Sequence, residues 1–536
     1  MAAVHAASVA ADPPIDSADR VPLKTWVAVL GSTLGAFMAI LNIQIVNASL
    51  ADIQGAIGAG IDDGGWVSTA YLVAEIVVIP LTGWLSQVFS VRRYLLVNTA
   101  LFLAFSAACA QAANLQQMIV LRALQGFTGG VLIPMAFTLI ITLVPKSRQP
   151  VALALFALSA TVAPAIGPTI GGYLTENWGW QYVFYINLAP GLLMLVLLWL
   201  SLDRAPMQLS LLAHGDWPGI ATMAIGLATL QTVLEEGNKD DWLGSPFIVR
   251  LSVVSFIALS LFLVIELTSP RPLLNLRLLA RRNFGLGVVA QFLLGVALYG
   301  SVFILPLYLS RVQSYNAEQI GLVLAWTGLP QLLLIPLVPR LMQRFDARLI
   351  LGLGLALFAA SNFRNIYLTA DYAADQLFWP NIERAIGQAL VFTPLTVISA
   401  ADIDTNDAGS ASAILNMMRN LGGAIGIALL QTFETKREQF HSNVLTQAVS
   451  LFAPATRTRI AALTRHFLDH GVADQALASH KAIVAIGLRV RQQASVMAFG
   501  DTFYVLGAAL LVAFIACLFF KKMDRSAAAA GHAGGH

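Results

Sequence analysis

The chain has 536 residues, of which 57% are hydrophobic and only 11% charged, with a formal net charge of +3. Soluble domains carry roughly 25% charged residues. Too few polar side chains remain to cover a water-facing surface, which excludes a soluble globular protein and leaves an all-α polytopic membrane protein.

Residues 1–24 have no apolar core segment and no basic start, so they read as a disordered cytoplasmic tail and not as a cleaved signal peptide. Apolar runs long enough to span a bilayer, about 20 residues each, then follow in three groups. Six lie near 25–48, 65–87, 93–112, 115–143, 149–174 and 181–202. Two lie near 217–235 and 246–267. Six more lie near 283–309, 317–342, 348–369, 377–400, 408–432 and 496–520, for fourteen predicted helices. Segment 434–495 is expected to be a long periplasmic loop; its amphipathic text, such as "TRTRIAALTRHFLDH", would rest on the membrane surface or dock a partner. The low-complexity end, 526–536, is expected to be disordered.

The basic residues orient this plan. With the N-terminus cytoplasmic, seventeen Lys and Arg fall in cytoplasmic segments, and only Lys239, Arg250 and Arg311 fall in short outer loops. The long loop is left aside because long segments translocate regardless of charge. Both termini are therefore expected in the cytoplasm.

The halves repeat. "IPLTGWL" near the end of the second helix and "IPLVPRL" in the tenth place Pro80 and Pro336 256 positions apart. "RALQG" in the fourth helix and "RAIGQ" in the twelfth separate Arg122 and Arg384 by 262, and Gly167 and Gly426 are 259 apart. A nearly common offset implies a six-helix half over 25–204, an inserted helix pair over 205–270, and a second half over 271–525. Parallel repeats around a midplane site are a transporter architecture.

Polar residues inside such helices need a reason. Glu75 is the only charge in "STAYLVAEIVVIPLTGWL", and it reads either as a proton carrier or as a packing group bonded to Asn42, Gln44 or Asn47 of the first helix; those three, with Gln125, Asn416 and Arg419, are the candidates to line a substrate cavity. Arg122 must face the bundle interior and find a partner. Arg419, in "NMMRNLGG" with Asn416, reads as a substrate or coupling contact or as the partner of a carboxylate. Arg364 reads as snorkelling to the interface, Asp501 as an interfacial residue at the start of the last helix, and Asp216 as an N-cap. His466 and His470 lack a third ligand, and Cys109 and Cys517 form no disulfide or metal pattern, so no metal is expected.

In the fifth helix, "APAIGPTIGG" holds Pro164, Gly167, Pro168, Gly171 and Gly172. Its prolines remove backbone donors and its glycines let a neighbouring helix approach. The stretch resembles the antiporter motif of major facilitator superfamily exporters, with alanine for the first glycine. "LRALQGFTGG" resembles that family's basic motif at Arg122, Gln125 and Gly126, where the resemblance ties the arginine to proton coupling. "GWLSQVFSVRR" resembles its cytoplasmic gating motif at Gly83, Leu85 and Arg92, but has Gln87 for the usual aspartate and Ser90 for the usual glycine, which removes the usual charge lock. Asn42 stands where fourteen-helix exporters usually have aspartate.

Over almost the whole chain the sequence resembles the fourteen-helix drug:proton antiporter branch, the EmrB-type multidrug exporters. The resemblance implies a major facilitator fold and proton-driven efflux of lipophilic small molecules across the bacterial inner membrane, with antibiotic resistance as a consequence. It also implies a periplasmic membrane-fusion adaptor and an outer-membrane channel as partners, surrounding membrane lipids, and no nucleic acid. No Walker A sequence occurs, so the energy source is expected to be the proton gradient without a cofactor; no catalytic motif marks an enzyme. An exporter of one physiological compound, such as a fatty acid or siderophore, is the alternative, ahead of nutrient symport or a non-transporting membrane sensor.

Overall fold

Within a bilayer, a long apolar run satisfies its backbone by coiling into a helix, and the chain does so throughout. The computed structural model describes residues 21–60, 63–213, 215–270, 272–401, 403–404 and 407–521. The two expected disordered tails lie outside the described residues apart from 21–24, as do Arg20, Arg271, Lys522 and Arg525 of the charge count.

The first group of helices is α1 Leu23–Ala48, α2 Trp66–Phe89, α3 Val91–Cys109, α4 Leu115–Leu143, α5 Gln149–Trp178 and α6 Tyr182–Ser201. The pair α7 Trp217–Glu236 and α8 Pro246–Thr268 follows. The third group is α9 Arg282–Arg311, α10 Gln319–Arg344, α11 Ala347–Tyr367, α12 Ala374–Ala400 and α13 Ala408–Ala448, then α14 Pro454–Asp469 and α15 Gln475–Cys517. Among the described residues eleven of these are long and apolar enough to cross a membrane, and α5, bent by 47° after Pro164, makes a twelfth. The remaining long helices are α3, which opens on Arg92 and Arg93, and α12, which carries Glu383 and Arg384. With them the bundle is consistent with fourteen spans.

Matching helices of the two groups pack alike. Arg92 Nη2 donates to Trp199 O on α6 at 2.8 Å, and Arg348 Nη1 donates to Phe520 O just past α15 at 3.1 Å. The two arginines are 256 positions apart, the same offset as the paired prolines. Helices α7 and α8 pack on each other, with Ser255 Oγ donating to Gly226 O at 3.0 Å.

The segment 434–495, expected to join two spans with amphipathic text, is largely helical. Helix α13 runs on to Ala448, α14 covers Pro454–Asp469, and α15 begins at Gln475, well before the expected span. Ion pairs tie the extension together: Arg311 to Glu434 at 3.4 Å, and Arg437 to Asp501 at 2.6 Å. Asp501 is thus in mid-helix, held also by His441 at 2.7 Å, and is not at a helix start.

Candidate functional site

The site is built from polar residues that apolar helices force against one another. On α4, Arg122 is fully buried. Its Nε donates to Val67 O at 3.0 Å, and its Nη1 donates to Asn42 Oδ1 at 3.0 Å and to Gln125 Oε1 at 2.6 Å. The guanidinium lies 4.2 Å from the Tyr71 ring centroid. Gln125 Nε2 passes the chain on to Ser106 Oγ at 2.6 Å. Gly126 makes the approach possible, because a Cβ there would lie 2.9 Å from the carbonyl carbon of Tyr71.

Glu75 lies one turn beyond Tyr71 on α2. It is 3% exposed, and its Oε1 has no hydrogen-bond partner among the described residues. It stands nine residues after Trp66, so roughly 14 Å down the helix, near the middle of a hydrocarbon layer about 30 Å thick. Arg122 and Arg419 are within electrostatic reach of it. Of its three expected partners, Asn42 is committed to Arg122, while Asn47 Oδ1 accepts from Ser68 Oγ at 2.7 Å. Gln44 and Asn47 instead join Glu75 in lining a cavity.

That cavity holds about 580 Å³ between the halves. Its walls include Ile40, Leu72, Ile76, Phe303, Leu307 and Ile427, an apolar surface interrupted by Glu75, Gln44, Asn47, Tyr299 and Asn420. It reaches Leu50, Gly65, Lys239 and Ser310, all at the bundle end opposite Leu23, where α1 begins, and Cys517, where α15 ends. At that opposite end the halves are shut. A Cβ on Gly83 of α2 would lie 3.3 Å from the Gly409 backbone of α13, and Ser412 Oγ donates to Pro134 O at 2.9 Å. Phe156 and Phe392 meet across the same seam at 5.9 Å.

The gating motif contributes to this closure through its glycine and not through charge. Gln87 is exposed beside a small pocket with Gly83 and Gly409, and Arg92 is turned away onto Trp199. Ser90, in the usual glycine's place, has φ 66°, which is backbone that glycine favours.

The antiporter-motif residues pack α5 onto α1. A Cβ on Gly167 would overlap Gln44, and one on Gly171 would lie 2.8 Å from Ile45 O. Ser49 Oγ donates to Gly171 O at 3.2 Å, Gly172 is buried, and Pro168 lines the cavity.

Arg419 donates to Asn416 Oδ1 at 2.6 Å and lies 5.1 Å from the Phe392 ring centroid, so its partner is an amide and not a carboxylate. Arg364 is exposed at the end of α11, and its Nε is 2.9 Å from Glu383 Oε2. Asp216 caps α7 as expected, accepting from Gly219 N at 3.0 Å.

The charged cavity residues that sequence reasoning did not name as site residues are Glu235, Glu236 and Lys239, all on or just after α7. Glu236 accepts from Thr69 Oγ1 at 2.9 Å and pairs with Lys239 at 3.1 Å. The signal was the acidic turn "EEGNKDDW", which looks like a solvated loop unless α7 is known to pack on α2.

Comparison with known proteins agrees with this architecture. A model of the Major Facilitator Superfamily matches residues 32–427. The chain is 33% identical to the colistin resistance protein EmrB of Acinetobacter baumannii over 94% of this chain and 98% of that protein. It is 30% identical to the fatty acid resistance protein FarB of Neisseria gonorrhoeae, over 96% and 100%. It is 31% identical to the multidrug export protein EmrB of Escherichia coli, over 82% and 85%. Among solved structures, the proton:xylose symporter XylE superposes with a TM-score of 0.57 at 14% identity, over 94% of this chain and 98% of that chain.

Proposed function

Because the chain belongs to the Major Facilitator Superfamily, we propose that it exports hydrophobic and amphipathic compounds, drugs and toxic molecules among them, in exchange for protons. One observation carries the reading. Glu75, a buried carboxylate whose Oε1 has no partner among the described residues, stands on the wall of an apolar cavity that is open at one end of the bundle and shut at the other. The names of the colistin, fatty acid and multidrug relatives support the substrate class.

The chain is a multi-pass membrane protein whose family and relatives are transporters, not enzymes. The excess of basic residues at the end carrying the termini supports a cytoplasmic placement of that end in a bacterial inner membrane. The cavity then opens outward, toward the periplasm, with the Gly83–Gly409 contact as the cytoplasmic closure. In this state Glu75 takes a proton from outside. Rocking of the halves turns the cavity inward, where Glu75 releases the proton and lipophilic substrate enters; Arg122 is the electrostatic regulator of that exchange. The reading extends to a periplasmic adaptor on the α13–α15 extension and an outer-membrane channel beyond it. A dedicated exporter of a fatty-acid-like compound is the second reading, favoured by similarity to a fatty acid resistance protein over nearly the whole chain.

Glu75→Gln tests the core of the proposal, since it keeps shape and cannot ionise. In vesicles with an imposed pH gradient, the variant should lose uphill export of a lipophilic panel while still binding substrate. Uphill export with an unchanged pH dependence would show that the carboxylate is structural. Including long-chain fatty acids in the panel separates the two substrate readings.

A further inference from the structure

Arg384 of α12 is fully buried, and its Nε, Nη1 and Nη2 all lack a hydrogen-bond partner among the described residues. The adjacent Glu383 is paired with Arg364, and farther along the half Glu434 is paired with Arg311 and Asp501 with Arg437; no carboxylate among the described residues pairs with Arg384. A guanidinium does not deprotonate in a protein. A lone buried cation therefore needs a counter-charge, or its desolvation goes uncompensated.

Two hydrogen bonds fix what surrounds it. Asn381 Nδ2 donates to Val323 O of α10 at 3.0 Å, and Gln331 Nε2 of α10 donates to Gln388 Oε1 at 2.9 Å. Asn381, Arg384 and Gln388 share one face of α12, and Val323, Thr327 and Gln331 share one face of α10. Both helices run the same way, so these two bonds hold Arg384 level with Thr327. Thr327 Oγ1 and Gln388 Nε2 are themselves buried without partners among the described residues. The seam thus gathers a guanidinium, an amide N–H and a hydroxyl, which is a donor set suited to an anion. Gln331 Oε1 and Asn381 Oδ1 also lack partners among the described residues, acceptors that a water accompanying the anion would serve. Water alone would fill hydrogen bonds and leave the charge.

We propose that the α10–α12 seam binds one small monovalent anion, a halide or the carboxylate of a small acid, with Arg384 as its counter-charge. The site is separate from the cavity wall, none of whose residues it shares.

The test uses the purified full-length protein in detergent, with gluconate as the sole buffer anion because it is too bulky for the seam. Chloride, bromide or formate is then titrated in while thermal unfolding is followed by tryptophan fluorescence. The wild type should gain a few degrees, saturably, and Arg384→Met should not respond. Response to halides alone assigns a halide, and response to formate as well assigns a carboxylate. Gln388→Leu, which keeps the charge and removes one donor, should raise the half-saturating concentration about tenfold, the worth of roughly 1.4 kcal/mol. It serves as the comparison if Arg384→Met does not fold. No saturable response in the wild type, an equal response in Arg384→Met, or an unchanged half-saturation in Gln388→Leu each overturns the proposal.

Discussion

Arg122 on α4 and Arg384 on α12 stand at matching places of the repeat, both fully buried, and differ in what surrounds them. Around Arg122 the first half supplies a backbone carbonyl, two side-chain amides and an aromatic ring. Around Arg384 the second half supplies no hydrogen bond among the described residues. Yet where the two halves only need to hold their own helices together, as at Arg92 and Arg348, they are alike. The two halves share a scaffold contact and differ in the polar interior.

The largest expected effect compares the two arginines directly. Arg122→Met and Arg384→Met are the same chemical change, so the difference between their stability losses isolates the partners. Hydrogen bonds to a charged group contribute about 1.5–3 kcal/mol each, so Arg122→Met should cost on the order of 4 kcal/mol more than Arg384→Met in buffer free of small anions. Proton-driven efflux should fall at least tenfold in Arg122→Met. Equal melting shifts for the two variants would break the comparison.

A smaller effect is expected at the fifth helix of each half. Gly171 meets Ile45 O at 2.8 Å and Gly426 meets the Val296 Cα at 2.8 Å, distances for an added Cβ. Overpacking of this kind costs about 1–3 kcal/mol, so both leucine substitutions should lower stability similarly. Only α5 carries the two prolines and the bend. Efflux should therefore fall several-fold more in Gly171→Leu than in Gly426→Leu at matched expression. Equal losses would reduce the antiporter motif to ordinary packing.

How much of this was legible in the sequence follows from what hydropathy can mark. Spans were legible because a bilayer demands about 20 apolar residues in a row. The ends of α13 and α15 were not, because a helix continuing into water over "KREQFHSNV" reads like a polar loop. Arg122, Gln125 and Glu75 stood out as polar residues in apolar text. The carbonyl of Val67 and the ring of Tyr71 did not, since neither looks unusual until α2 lies against α4. The fate of Asn42 was open for the same reason: its sequence position allowed Glu75 as a partner, and packing gave it Arg122.

The smallest expected effect lies at the loops that begin α3 and α11, again matched by the 256-residue offset. Asp346 has φ −66°, and its side chain accepts from Arg348 N at 3.0 Å, so it caps α11 in relaxed backbone. Ser90 has φ 66° and makes no side-chain cap; its hydroxyl is buried without a partner among the described residues. A non-glycine residue held at positive φ stores about 1–3 kcal/mol, and the orphaned hydroxyl adds a desolvation cost. Ser90→Gly removes both and should raise the melting temperature by about 1–2 °C, a shift kept small by the size of the protein. Asp346→Ala loses a cap worth about 1 kcal/mol and should lower it by a similar amount. Opposite signs at repeat-related positions would place the first half's strain at its gate, beside the Gly83–Gly409 closure. A Ser90→Gly protein that melts lower than the wild type would show that the serine side chain stabilises this turn, and the contrast between the two loops would be gone.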